Sequence, residues 1–307
     1  MSHPILVTGA AGGRQGSTGG VITSLLLEQG QVRALVHKLD SRSHALRQQA
    51  AEVVEGDLLD PASVQAVMRN VKRAYFTYPV TDGLLEAATI FAARDASLEF
   101  VVNNSQYQGR PGDPAFRNLK GAASFRNLQH RLADRIFDWA QVAAVHLQAP
   151  PYYENVRSLF SRSVAEQSTV FLPWGEDTTV IPLVGAQDVS SVAAALLANP
   201  GVPSQTAYAL ISETPTVREM IEALGRAIGR SIRYVAITDE QWANSLKERL
   251  GPHALDHLSH LWWTFRKGEE RYQFTDAIRM VTGINPQTLE EFFRENVGSF
   301  AASTQEA

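Results

Sequence analysis

The sequence predicts an α/β protein: a doubly wound parallel sheet with a smaller, mostly helical lobe at its C-terminal end. Two observations carry this. Residues 1–150 alternate short, β-branched, near-continuously apolar runs with helix-period segments. That is the texture of strands covered on both faces by right-handed crossover helices. Residues 151–307 change texture, with longer helices and isolated strands. The length of 307 residues suits two such units, and 44% hydrophobic against 20% charged residues lets the chain bury a sizeable core.

In the first part, strands are predicted at Ile5–Thr8, Val32–His37, Glu52–Glu55, Arg73–Tyr78, Glu99–Asn103 and Ala144–Gln148. Helices are predicted at Val21–Gln29 (closed by Gly30), Ser41–Gln49, Pro61–Met68, Leu84–Arg94 and Arg126–Trp139. Asp60-Pro61 is a strong helix start, a capping side chain followed by proline at the first helical position. In the second part, Asp188 is expected to cap Val189–Ala198, and Ala207–Ile211 and Arg233–Ile237 read as strands. Thr216 and Glu219 form a capping box for Val217–Ile228, which Gly229 stops. Glu240–Leu250, Pro252–Lys267, Asp276–Val281 and Leu289–Asn296 follow as helices, the last with the box Thr288–Glu291. The chain is expected to return to the sheet around residues 180–211, so the boundary at 150 is a convenience.

Composition narrows the function. The 28 Lys and Arg against 32 Asp and Glu give a net charge of −4, which removes the electrostatic case for a general nucleic-acid binder. There is no cysteine, hence no disulfide, thiolate metal site or cysteine nucleophile. No apolar run approaches the roughly 18 residues of a membrane span, and Met1–Thr8 does not read as a signal peptide. A cytoplasmic globular protein is expected.

The most informative stretch is Ile5-Leu-Val-Thr-Gly9-Ala-Ala11-Gly12-Gly13-Arg14-Gln15-Gly16. It follows the first strand and opens the first helix, the context of a Rossmann dinucleotide fingerprint. Glycine permits positive φ and lets backbone N–H groups approach a pyrophosphate that the helix N-terminus attracts. The spacing reads G-x-x-G-G-x-x-G, a short-chain-dehydrogenase type of loop with one residue extra. The P-loop alternative needs Gly-Lys, and Gly16 is followed by Ser17. The second strand ends in His37 and Lys38, with Arg42 beyond and Arg14 in the loop itself. Such cations suit a ribose 2′-phosphate, so NADPH is expected ahead of NADH. Asp40 is the counter-signal, unless it caps the helix that follows. For Lys38 or Arg42 alone, a solvated helix face explains the charge equally well.

The loop "GAAGGRQG" resembles the "GATGRQG" type of the NmrA-like family, atypical short-chain dehydrogenase/reductases. Further matches are "VRALVH" at 32–37, "AEVVEGDLLDPASV" at 51–64, "PPYYENV" at 150–156, "QDVSSVAAALLANP" at 187–200, "ITDEQW" at 237–242 and "TGINPQTLEEFFRENVGSF" at 282–300. The resemblance covers nearly the whole chain. It implies that Gly9, Ala11, Gly12, Gly13, Arg14, Gln15 and Gly16 hold the pyrophosphate and that Asp57 and Leu58 border the adenine. It implies that Thr77, Tyr78 and Pro79 line the cofactor cleft, while Asn104, Ser105 and Gln106 after the fifth strand, with Pro150, Pro151, Tyr152 and Tyr153, flank the nicotinamide.

Ordinary short-chain dehydrogenases use Tyr-x-x-x-Lys, in which lysine lowers the tyrosine pKa. None of the eight tyrosines here has that lysine; Tyr153 with Arg157 comes nearest. Many NmrA-like reductases carry instead a lysine on the helix before the sixth strand, and that position falls on His130. His130 is a candidate to bond the nicotinamide ribose or donate a proton, against a plain, partly exposed helix histidine. Tyr107 and Tyr152 are candidates to stand over the substrate, with loop filling the alternative for Tyr107. Glu154 is a remote candidate for general acid, and Asn155 reads as a backbone stitch. His253, His257 and His260 share one helical face, but packing beside Trp262, Trp263 and Phe265 explains them better than a metal, and none is expected. Trp262 and Trp263 are candidates for an apolar wall over a bound ring, with core packing as the other explanation.

The resemblance implies an NADPH-dependent reductase, with NADH also allowed, that passes hydride to a conjugated electron-poor acceptor: a quinone, an azo compound or a triphenylmethane dye. The expected partner is a small aromatic substrate, without nucleic acid or membrane. Doubly wound reductases often pair through surface helices, which leaves room for a homodimer. The rival reading is a non-catalytic sensor of NADP(H) redox state, to which the missing Tyr-x-x-x-Lys and the His130 replacement are suited.

Overall fold

The computed structural model describes residues 3–12, 18–49, 51–79, 81–93, 98–107, 125–201, 203–268 and 274–301. Strands β1 (Ile5–Val7), β2 (Val32–Val36), β3 (Glu52–Glu55), β4 (Arg73–Phe76), β5 (Phe100–Gln106), β6 (Ala143–Ala149) and β8 (Ala207–Ala209) form one sheet. Its order is β3-β2-β1-β4-β5-β6-β8, and every neighbouring pair is parallel. The order reverses between β1 and β4, the switch point where a doubly wound sheet opens its ligand crevice.

Strand periodicity sorts the side chains into two layers. Ile5, Val7, Phe100, Val102, Val145 and Leu147 face helices α1 (Thr18–Leu27), α2 (Ser41–Gln48) and α7 (Ala186–Ala198). Leu6, Leu35, Phe76, Val101 and Ala144 face α3 (Pro61–Val67), α4 (Leu84–Ala92) and α5 (Phe125–Trp139). On that second face Phe76, Phe91 and Phe137 pack tilted or edge to face, with centroids 4.9–6.2 Å apart, which anchors α4 and α5 to the sheet.

A separate hydrophobic cluster forms the C-terminal lobe. It gathers α6 (Tyr153–Gln167), β7 (Thr169–Leu172), α8 (Val217–Ile228), β9 (Arg233–Ala236), α9 (Asp239–Leu246), α10 (Pro252–Lys267) and α12 (Leu289–Glu295). Strands β7 and β9 pair in parallel as a second, two-stranded sheet. The short α11 (Ala277–Thr282) instead packs back on α7.

Three expectations change. Helix α6 and strand β7 were not predicted; Tyr153, Val156, Phe160 and Val164 bury one stripe of α6, and Ser168 ends it at φ +48°. Asp188 does not cap α7, which begins at Ala186 after Gly185. Its carboxylate accepts instead from Ser212 Oγ (3.1 Å) and the Gln287 N–H (3.2 Å), tying the chain's last third to α7. Burial pushes that carboxyl up to about 6. Finally, β5 runs on to Gln106, so Asn104, Ser105 and Gln106 are strand residues whose faces alternate.

Candidate functional site

The C-terminal edge of the sheet carries a row of hydrogen-bonded side chains. Thr8, just past β1, accepts from the Thr77 N–H (2.8 Å) and donates to the Thr77 carbonyl (3.0 Å) past β4. Asn104 on β5 donates to Thr77 Oγ1 (3.3 Å) and accepts from Tyr152 Oη (3.1 Å), which follows β6. Below the row, Tyr75 Oη and Thr18 Oγ1 share a 2.8 Å hydrogen bond joining β4 to the first residue of α1. Burial raises both phenols, Tyr152 to about 12. At neutral pH each therefore holds its proton and can act as a donor.

Gln106 lies two residues beyond Asn104 on the same face of β5. Its Oε1 is buried and has no hydrogen-bond partner among the described residues. An unmatched buried acceptor costs about 1–3 kcal/mol unless a donor reaches it, so it marks a place where a ligand's N–H or O–H would be favoured.

The turn after β1 needs glycine twice. Gly9 sits at φ +64° and Gly12 at φ +74°, with the Gly12 N–H closing on the Gly9 carbonyl at 3.1 Å. A Cβ on Gly9 would fall 2.7 Å from Thr77 Cγ2, and one on Gly19 would fall 2.6 Å from the Gly9 carbonyl oxygen. Thus α1 is pressed onto the turn so closely that only glycine fits at these two positions. Gly13, Arg14, Gln15 and Gly16 lie outside the described residues.

Beside this turn, Arg42 donates to the Gly12 carbonyl (2.8 Å) and to Asp40 (2.9 Å). Asp40 caps α2, accepting from the N–H groups of Arg42 (3.0 Å) and Ser43 (3.2 Å). The Arg42 hydrogen bond holds its carboxyl below the ordinary value. The carboxylate is thereby committed to its own helix, while His37, Lys38 and Arg42 stand exposed around it.

Other expected residues divide by strand face and burial. Thr77, Tyr78 and Pro79 sit at the end of β4, and Asp57 at the end of β3, where it accepts from the Leu59 N–H (2.9 Å). Tyr107 follows β5 and donates its N–H to the Ala149 carbonyl (2.9 Å), with Pro151 close by after β6. Four side chains turn away from the edge. Ser105 faces α5 and donates to Asp134 (3.0 Å), and Leu58 is buried in the core between sheet and α3. Tyr153 is wholly buried in the C-terminal cluster against Phe292, its hydroxyl donating to the Gln287 carbonyl (3.1 Å). Trp262 is likewise buried, 5.2 Å from Trp174 and 6.1 Å from Trp242. Packing, the plainer of the two explanations, fits Trp262; Trp263 beside it is 43% exposed with Lys267 Nζ 4.1 Å over its ring.

His130 is buried on α5 rather than partly exposed, and burial pushes its imidazole down to about 4. It is neutral at pH 7, so it can hydrogen-bond but is no imidazolium acid. Glu154 accepts from the Ala186 N–H (3.2 Å) at the start of α7, and burial raises its carboxyl. Arg157 is engaged with Asn296 and lies over the Phe292 ring (5.7 Å). Among the described residues no group of three or more His, Asp or Glu is arranged to hold a metal ion. No described helix is long and apolar enough to cross a membrane.

Two features of the site were not anticipated: Thr8, and a polar layer under β5 and β6 made by Asn103, Asp134 and His146. The run Asn103-Asn104-Ser105-Gln106 on a central strand was the available signal, because four consecutive polar residues there must find partners on both faces.

Comparison with known proteins agrees with this geometry. The NmrA-like family model matches residues 1–97. The family resemblance read from the sequence is borne out there, on the segment that carries the glycine turn, Asp57 and Thr77. Over its whole length the chain is similar to the NAD(P)H azoreductase of Xenophilus azovorans, with 23% identity over 302 residues, 97% of this chain and 100% of that protein. Triphenylmethane reductase from Citrobacter sp., crystallised with NADP(H), shares the fold with a TM-score of 0.78 and 20% identity, covering 95% of this chain and 99% of that one. NmrA, a negative transcriptional regulator solved in complex with NADP, superposes with a TM-score of 0.76 and 16% identity, covering 97% of this chain and 96% of that one. The doubly wound architecture is thus common to reductases and to a regulator.

Proposed function

We propose that the chain is an NADPH-dependent reductase that delivers hydride to a conjugated, electron-poor aromatic acceptor such as a quinone or an azo compound. The observation that carries this reading is the site's edge. A glycine turn that tolerates no Cβ adjoins a row of hydrogen-bonded side chains, and on the same face of β5 the buried Gln106 Oε1 has no partner among the described residues. A dinucleotide suits these residues at both ends. The Gly9–Gly12 turn and the start of α1 would hold the pyrophosphate. His37, Lys38 and Arg42 would hold a 2′-phosphate, and Asp40, committed to its cap, would not compete for a 2′-hydroxyl. Asn104 and Gln106 would bond the nicotinamide half, with Tyr152 as a wall beside it. Once bound, the cofactor supplies a hydride.

The chain's own acid–base contribution is small. His130 is neutral, and the Tyr152 phenol is raised to about 12, so neither is tuned for proton transfer near neutrality. An electron-poor ring can take its proton from water, which makes positioning the main catalytic device. The similarity to an azoreductase across the full length of both chains supports the same acceptor class. The test is a panel of quinones and azo dyes mixed with the purified chain and NADPH. Acceptor-dependent loss of reduced-nicotinamide absorbance is expected, and its absence across the panel would overturn the catalytic reading.

A redox sensor is the second reading, favoured by the neutral His130 and by the shared fold with NmrA. It predicts binding that distinguishes NADP⁺ from NADPH, without turnover of any acceptor.

A further inference from the structure

The two faces of β5 do different things. Asn104 and Gln106 point to the cleft row, while Asn103 and Ser105 point to α5. There both meet Asp134, and Asn103 Nδ2 also lies 3.1 Å from His146 Nδ1. Asp134 is buried, with Oδ1 accepting from Asn103 Nδ2 (2.8 Å) and Oδ2 accepting from Ser105 Oγ (3.0 Å). A single carboxylate thus bridges positions i and i+2 of the strand. Behind it, His146 of β6 has Nδ1 3.4 Å from Asp134 Oδ1 and Nε2 3.1 Å from Asp138 Oδ1. Asp138 in turn meets Arg135 at 3.0 Å. This outer end opens into a groove of about 1240 Å³ between α5 and the β6–β8 edge, also lined by Arg131 and Gln148.

We propose that Asp134 is a positioning residue for the cofactor cleft: by stapling Asn103 and Ser105 on one face of β5, it sets the placement of Asn104 and Gln106 on the other. The inference rests on the reading of that cleft as a nicotinamide site. In a strand, two residues held on one face leave the residue between them little freedom to rotate, and that residue is Asn104. Asn104 in turn holds Thr77 and Tyr152, so the staple reaches the row one step removed. Simple attachment of α5 to the sheet does not require this carboxylate. Ala133 and Phe137 already bury α5 against Phe76 and Phe91, and a buried carboxylate is costly unless its donors are well placed.

The test compares Asp134→Asn with Asp138→Asn, a change at the outer end that leaves Asn103 and Ser105 their acceptor. The first readout needs no cofactor: the NMR signal of the Asn104 side-chain amide, assigned with Asn104→Ala. The second is NADPH affinity by calorimetry. Asp134→Asn should move the Asn104 signal and weaken NADPH binding about tenfold; Asp138→Asn, which reaches Asn103 only through His146, should move the signal less and leave affinity within about twofold. Should Asp134→Asn fail to fold, Ser105→Ala removes one arm of the staple and should move the same signal with a smaller loss of affinity. An unmoved Asn104 signal in a folded Asp134→Asn or Ser105→Ala protein overturns the proposal. If the wild-type chain binds no NADPH while the Asn104 signal still moves, the cofactor reading falls and the cleft role with it, a result told apart from failure of the staple.

Discussion

Along the edge of the large sheet, Thr8, Thr77, Asn104 and Tyr152 hand hydrogen bonds from strand to strand, each placed by the strand end before it. In the C-terminal lobe, the wholly buried rings of Trp174, Trp242 and Trp262 pack against one another instead, tilted or edge to face, with no acceptor for any of their indole N–H groups among the described residues. The first region lines up polar atoms along the strand ends; the second maximises ring contact and accepts unmatched donors. The contrast teaches where chemistry and stability reside. Substitutions at the edge should change binding more than folding, and substitutions in the tryptophan cluster should do the reverse.

The harshest way to probe that division is Trp262→Ala. Removing a buried indole should cost about 3–5 kcal/mol of stability. Thermal denaturation should show a large loss of Tm, with NADPH affinity kept at temperatures where the variant is folded. An equal collapse of affinity in a folded variant would blur the two regions. Gly9→Ala is the counterpart at the edge. It imposes positive φ on a side chain whose Cβ would lie 2.7 Å from Thr77 Cγ2, a strain on the order of 1–3 kcal/mol. Calorimetry should show NADPH binding lost, with a smaller fall in Tm than for Trp262→Ala.

A milder change sharpens the same contrast. Tyr152→Phe removes the hydrogen bond to Asn104, worth about 1 kcal/mol. Stability should fall by no more than about that amount, while acceptor reduction should fall several-fold at saturating NADPH. The smallest effect belongs to His146. Burial works against its charged form, but the hydrogen bond it donates to Asp138 and the charges of Asp134 and Asp138 outweigh this and raise its pKa, with Arg135 opposing. A raised folded-state value means stability that is present below the ordinary value of 6.5 and lost as pH climbs through the folded-state value. Denaturant midpoints should decline gently over that range, and Asp138→Asn should flatten the decline.

Much of the sheet was legible because strand burial on two faces leaves apolar runs and because caps announce helix starts. Asp60-Pro61 and the boxes at Thr216 and Thr288 all form as read. Helix α6 went unread although Tyr153, Val156, Phe160 and Val164 mark its buried stripe; the tyrosine pair drew attention as a site, and the period behind it was missed. The site residues were legible in position but not in direction. Ending β5 at Asn103 left Asn104, Ser105 and Gln106 as a loop, where all three could face a ligand. The added strand residues impose alternation, which sends Ser105 to Asp134 and keeps Asn104 at the cleft. No sequence pattern paired Asp134 with His146, because that contact depends on how α5 lies across β5 and β6.

The central claim is that the sheet's edge between Gly9 and Gln106 is a site for a phosphorylated pyridine nucleotide. Its most direct test is a calorimetric titration of the wild-type chain with NADPH and, separately, NADH. Saturable binding is predicted, tighter for NADPH, with the preference reduced by Lys38→Ala. A chain that binds neither nucleotide would contradict the account.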